Sequence, residues 1–395
     1  MLVSFFIKHY SSNFAGMGKF TPYKQSLFAS VMKRVVYSGE PGATVEFEIT
    51  MYAVDKQRFN VVAQTALKTS LPESGEYIFD VKKIISPFHT FRVEDMPGRD
   101  PHSIKSLLLI FSCNENGVSV NPAYYEFLPI RCSEKDDNDF AHTWVTFRPQ
   151  THWTTPDSYE PLVMSLLNFS DNAVFYMARC YFHSSRPETF VLASKKGYLS
   201  GNTLQYIDCS YSAVSAKASE KGLNDTIMAY DIYPLPGTVS SETPSTDEPL
   251  APVRRFVIKR DVGSHLVFVF RNSFGGLDTV ISAGQVKISS SGDVTVFTND
   301  GTEEEVDNDW KEYIEVNSGY IRSKAERKLW FEFFRSLDRC LMREDGTAAR
   351  IIIDEYKSEY ILDELSSFTF KFHYAQDEDP RLVKDSGLDE YYINK

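Results

Sequence analysis

Between Phe368 and Tyr374 the chain sets Phe368, Phe370, Phe372 and Tyr374 against Thr369, Lys371 and His373, and the same period of two returns where Val45, Phe47 and Ile49 alternate with Glu46, Glu48 and Thr50. A period of two is the signature of a strand with one buried face, because successive side chains of extended backbone point to opposite sides. Short apolar runs at Leu107–Phe111, Leu166–Phe169, Val174–Tyr181, Leu204–Asp208, Phe256–Ile258, Leu266–Phe270, Val294–Phe297 and Arg350–Ile353 read as further strands. One segment breaks the pattern. Leu329, Trp330, Phe333, Phe334, Leu337 and Leu341 fall on one stripe at helical spacing, and Ser323 with Glu326 forms a capping box. The expected fold class is therefore mainly β: tandem antiparallel β-sandwich domains, the C-terminal one carrying one long amphipathic helix over 324–343.

A chain of 395 residues is too long for a single core. The sharpest change of composition is PLPGTVSSETPSTDEPLAP, Pro234 to Pro252, where proline, serine, threonine and acids replace the apolar pattern. Prolines lack the N–H that a ladder needs, so this stretch is expected to run exposed between packed units. A second break falls at the acidic CSEKDDND, Cys132 to Asp139. The resulting division is 1–135 for an N-terminal sandwich, 136–233 for a second sandwich, 234–252 for a Pro-rich linker and 253–395 for a C-terminal β domain. Phe79-Asp80-Val81 and Ile207-Asp208-Cys209 form a short internal echo, each after an apolar strand.

Acidic side chains outnumber basic ones by 54 to 42, a net charge of −12. The summed field repels phosphate backbones and anionic headgroups, so neither nucleic acid nor a membrane is an expected partner. Five cysteines, Cys113, Cys132, Cys180, Cys209 and Cys340, are scattered without a C-x-x-C pair and read as reduced thiols. The apolar start at Met1–Phe6 is interrupted by Lys8 and His9, too early for a signal core or a membrane span.

Catalytic motifs are missing. The eight histidines include no H-E-x-x-H or H-x-H, there is no G-x-S-x-G elbow, and Gly16-Met17-Gly18-Lys19 lacks the spacing of a phosphate loop. His142 and His152 could meet across a hairpin, yet no third ligand accompanies them. The acidic runs Asp136–Asp139 and Glu303–Asp309 lack the glycine of a calcium loop and read as solvated charge. No enzyme, no metal and no cofactor is expected. Trp144, Trp153 and Tyr159 are the candidates for an aromatic contact surface, since flat rings suit a pyranose or a protein partner. Asn272, Gly275, Gly276 and Asp278, in FRNSFGGLD, are the candidates for a structural turn, the paired glycines supplying positive φ.

The order of a strand, Phe270-Arg271-Asn272-Ser273-Phe274-Gly275-Gly276-Leu277-Asp278, a second strand, a Trp310 segment, a helix with Trp330 and Ser336, and strands ending in Phe368–Tyr374 resembles virion and tail-associated structural proteins of phages infecting Bacteroidota, the crAss-like phages among them. In that family an aromatic-Asn-x-aromatic-Gly-Gly-x-Asp motif follows a strand. Gly75–Val81 leading to Ile84, with Pro72 ahead, is similar to it as well. The resemblance implies a structural component of a bacteriophage particle, in the tail, tail tip or neck, located in the virion after assembly in the host cytoplasm. Its implied partners are identical subunits and neighbouring tail or neck proteins. A module that recognises a host-surface glycan, or a glycan depolymerase of the same particle, is the alternative.

Overall fold

The computed structural model describes residues 18–22, 34–55, 58–85, 93, 102–105, 107–127, 142–169, 173–196, 201–238, 240, 242–299, 302–358 and 366–375. The fold is mainly β, with strands arranged in five sheets. The first unit contains β1 (Lys19–Pro22), β2 (Arg34–Ser38), β3 (Thr44–Asp55), β4 (Arg58–Ser70), β5 (Glu76–Asp80), α1 (Val81–Ile85), β6 (His102–Lys105), β7 (Leu107–Glu115) and β8 (Val118–Phe127). A three-stranded sheet in the order β1-β2-β5 faces a four-stranded sheet in the order β4-β3-β7-β8. The alternation of β3 does what its period requires, sending Val45, Phe47, Ile49 and Met51 into the core with Tyr37, Phe79 and Phe111. Lys19 opens a strand paired with β2.

The second unit comprises β9 (Thr143–Trp144), β10 (Thr151–Thr154), β11 (Pro161–Phe169), β12 (Ala173–Phe182), β13 (Glu188–Lys196), β14 (Gly201–Asp208), α2 (Tyr211–Glu220), β15 (Ile227–Gly237) and β16 (Arg254–Ile258). Sheets β10-β16-β15-β12-β13 and β6-β14-β11-β9 form its two layers, with β6 borrowed from before the expected border at residue 135.

The expected linker needs the larger correction. Pro234 and Pro236 lie within β15, opposite Tyr176 and Val174 of β12. On the other flank β16 pairs β15 only from Ala229 to Ile232, so the prolines face a side where no ladder donor is required. Their carbonyls accept from Leu250 N at 2.9 Å and Ser245 N at 3.0 Å. Ala251 is buried in the core of this unit, and Trp144 Nε1 donates to Pro252 O at 2.8 Å. The segment is thus an excursion from one sandwich back into it, and the sequence unit extends through Ile258.

The last unit has β17 (Leu266–Arg271), β18 (Leu277–Ser282), β19 (Val286–Asn299), β20 (Thr302–Asn317), α3 (Lys324–Arg335), β21 (Arg339–Met342), β22 (Ala348–Ser358) and β23 (Phe368–Tyr374). Its seven strands follow the order β18-β17-β21-β22-β23-β20-β19, all antiparallel. Helix α3 covers one face with Leu329, Trp330, Phe333 and Phe334 against Phe268, Phe368 and Phe370. It ends at Arg335, not 343. Ser336 Oγ accepts from Asp338 N at 3.1 Å and turns the chain into β21, where Leu341 is buried on a strand while Leu337 stands 72% exposed.

The units are not beads on a string. Val163, Leu204 and Tyr206 of the second unit pack against Val269, Leu277 and Cys340 of the last one in a shared core. The β6-β14-β11-β9 sheet is therefore covered on both faces, which explains why Leu162 to Leu166 are all buried in succession and why every residue of β18 is buried.

Candidate functional site

The strongest polar chemistry lies where these layers meet. Glu160 precedes β11 and is 0% exposed; Asp278 sits on β18 and is likewise sealed; Arg148, on the segment after β9, lies between them at 4%. Arg148 Nη2 is 3.2 Å from Glu160 Oε2 and its Nε is 3.7 Å from Asp278 Oδ1. The same guanidinium donates from Nη1 to Pro161 O at 2.7 Å and from Nη2 to Thr279 Oγ1 at 2.8 Å. A buried charge costs several kcal/mol unless paired and hydrogen-bonded, so this arginine is held by acceptors from two units at once. Thr154 Oγ1 donates to Glu160 Oε1 at 2.6 Å, and Ser210 Oγ donates to no fewer than one acid, Asp208, while accepting from Glu160 N at 2.8 Å.

The candidate turn residues complete the joint. Asn272 Nδ2 donates to Asp278 Oδ2 at 2.8 Å and to Val145 O at 3.1 Å, and Asn272 Oδ1 accepts from Phe274 N and Gly276 N at 3.0 and 3.1 Å. Asp278 also accepts from Thr146 Oγ1 and from Phe147 N. The two glycines have different reasons to be glycine. Gly275 has φ +85°, in the left-handed region. Gly276 lies so close to β9's continuation that a Cβ would meet Val145 O at 1.9 Å. Phe274 then stacks on Phe147, ring centroids 4.2 Å apart.

Burial pushes the Glu160 carboxyl up to about 7 against the pull of Arg148, and holds His152 down to about 3, hence neutral beside it, its Nε2 3.7 Å from Glu160 Oε1. His152 is packed edge-on to Phe256. Among the described residues no group of three His, Cys, Asp or Glu could hold a metal ion, and no helix is long and apolar enough to cross a membrane.

The aromatic contact surface is corrected by burial. Trp144 is 4% and Tyr159 8% exposed, each inside a core. Trp153 is half-buried under Lys259 Nζ, 4.3 Å from the ring centroid, and Arg322, and its Nε1 donates to Glu326 Oε1 at 3.1 Å. A ring so held fastens α3 to β10. Asp136–Asp139 lies outside the described residues; Glu303–Asp309 belongs to β20.

Beside the joint opens a cleft of about 800 Å³, lined among others by Asp157, His265, Asp208, Ser210, Arg343 and Tyr374. His265 Nε2 lies 3.1 Å from Asp157 Oδ1 and from Thr155 Oγ1, while Nδ1 faces Gly263 O at 3.0 Å. The Asp157 hydrogen bond raises the imidazole above its usual value, and His265 in turn lowers Asp157 to about 2. Ser158 Oγ bonds Thr155 and not the imidazole, so no serine–histidine relay is assembled. Burial raises Asp208 from the carboxylate range.

Sequence reasoning found the turn but missed Arg148 and Glu160, single charges in unremarkable polar stretches. No protein-family model and no curated protein matches the chain. Among solved structures it is similar to the tail of an empty gene transfer agent particle refined with C6 symmetry, at 13% identity over 28% of this chain and 91% of that one, TM-score 0.21. A chain of the native gene transfer agent virion gives 14% identity over the same shares and TM-score 0.21. Red sea bream transglutaminase gives 8% identity over 66% of this chain and 33% of its own, also at 0.21. Likenesses at this TM-score assign neither a fold family nor a function.

Proposed function

We propose that this chain is a structural component of a bacteriophage particle, built into its tail, tail tip or neck, and that it works by protein–protein assembly without turnover. The observation that carries the reading is the joint: Arg148, Glu160, Asp278 and Asn272, the residues best suited to chemistry, are sealed between β layers and bonded to one another. The motif on which the resemblance rests, Asn272 to Asp278, is the part that locks those layers together. A rigid multilayer body with long sheet edges suits a subunit that must keep its shape while neighbours pack on it. Its partners in this reading are identical copies and adjoining tail or neck proteins, with the net negative surface keeping it off packaged DNA. Negative-stain imaging of the chain co-expressed with its tail neighbours tests the proposal. Defined rings or spikes are the expected result; a chain that joins none of them contradicts it.

One observation favours a second reading, recognition of a surface glycan: the cleft beside the joint combines carboxyls, an imidazole and the Tyr374 ring, groups that bind hydroxyls and a sugar face. His265→Ala and Asp157→Asn should then weaken glycan binding measured by calorimetry. Equal binding by these variants and the parent chain removes this reading.

A further inference from the structure

The free edge of the first sandwich carries a surface that none of the contacts above uses. Among the described residues, strand β4 stands at the end of its sheet, paired only with β3. Ala63, Thr65, Leu67 and Thr69 lie opposite Met51, Ile49, Phe47 and Val45, the residues that fill the core. Those four therefore share the core-facing side of the sheet. The opposing sheet has three strands against four: Ala63 packs against the core while Leu67 is left 40% exposed, and Val61 and Val62, at the bulged end, are 57% and 43% exposed. From Val61 to Leu67 the strand has no charged residue, in a chain of net charge −12. Lys68 is already bonded to Glu46, and Gln64 to Glu48.

Natural edges are blunted by charges, prolines or bulges, and the stretch from Ala63 to Leu67, between the bulge at Val62 and Lys68, carries none of these, which makes it a template for another strand. We infer that β4 pairs antiparallel with β4 of a second copy, continuing the sheet across a two-fold axis. Charge selects that occupant. Two copies of an acidic chain repel over most of their surfaces, but this run brings no like charges together. An axis centred on Ala66 keeps each face in register, setting Leu67 beside the partner's Thr65 and Lys68 beside the partner's Gln64. Each copy then covers the other's uncovered core-side strip, which is self-complementary as an isologous contact must be.

The inference concerns the purified chain and does not rest on a place in a particle. Sedimentation velocity on the full chain at about 10 μM, enough to populate a complex of micromolar affinity, should give twice the chain mass. Ala66→Lys, on an exposed position, sets two lysines face to face across the axis and should give the single-chain mass with an unchanged melting curve. An equimolar mixture of A66K and A66E should restore the doubled mass. A parent chain at single mass, a doubled A66K, or a mixture that stays single each overturns β4 pairing, whatever happens to assembly with tail neighbours.

Discussion

Glu160 makes the stability of this fold depend on pH in a stated direction. An unfolded glutamate titrates near 4.5 and burial raises this one to about 7, so its contribution is fully present below the lower value and is lost as pH rises through the upper one. The His265 imidazole, raised above 6.5 by Asp157, has the same sign: the stability it adds disappears as pH climbs through its folded value. Asp157 acts at the other end, contributing above about 3.8 and failing as pH falls through about 2. Melting temperature should therefore fall as pH rises from about 4.5 to about 7, and Glu160→Gln should flatten that slope by removing a term on the order of 1 to 3 kcal/mol. Parallel profiles for the two chains would show that Glu160 does not titrate there. The glycines give a second residue-scale prediction. Gly275→Ala should cost about 1 kcal/mol through its positive φ. Gly276→Ala must push a backbone carbonyl aside and should cost several times more, read from urea unfolding. The sequence showed a turn but could not divide these roles, because φ belongs to the residue and the close approach to Val145, which lies 131 positions earlier. Arg148 and Glu160 were illegible for the same reason.

Helix α3 was readable from its stripe and its cap: Ser323 Oγ accepts from Glu326 N at 3.1 Å as a capping box requires, while Glu326 Oε2 reaches one residue further back and accepts from Arg322 N at 2.7 Å. Ser323→Ala should lower stability by about 1 kcal/mol in denaturant titration; no change would mean that tertiary packing alone holds the first turn. The end of the helix was misread because Leu337 and Leu341 continue the helical spacing, and spacing alone does not register a polar Ser336 turn or a waiting strand edge. Proline misled in the opposite way. It excludes an interior ladder position only where a partner needs its N–H, and β15 offers the prolines a flank with none. Strands with one clean buried face, such as β3 and β23, were legible. Those like β4, exposed on both faces, and β18, buried on both, lack the alternation that would announce them.

At the scale of the molecule, the second and last units act as one stack: two sandwich sheets, the seven-stranded sheet and α3 over it. Protease should still cut first between Glu242 and Glu248, where the backbone is exposed. The two products should nevertheless stay together on native size exclusion, because β16 beyond the cut pairs with β15 and β10 before it. Products that separate without denaturant would contradict the shared core. The same rigidity underlies the functional reading, in which sealed polar groups fasten layers and exposed edges receive neighbours. Quantitative mass spectrometry of gradient-purified phage particles carrying this chain tests that reading most directly. The account predicts the chain at a fixed multiple-copy ratio to the tail proteins through every purification step; a chain left behind in the soluble lysate, absent from intact particles, would contradict it.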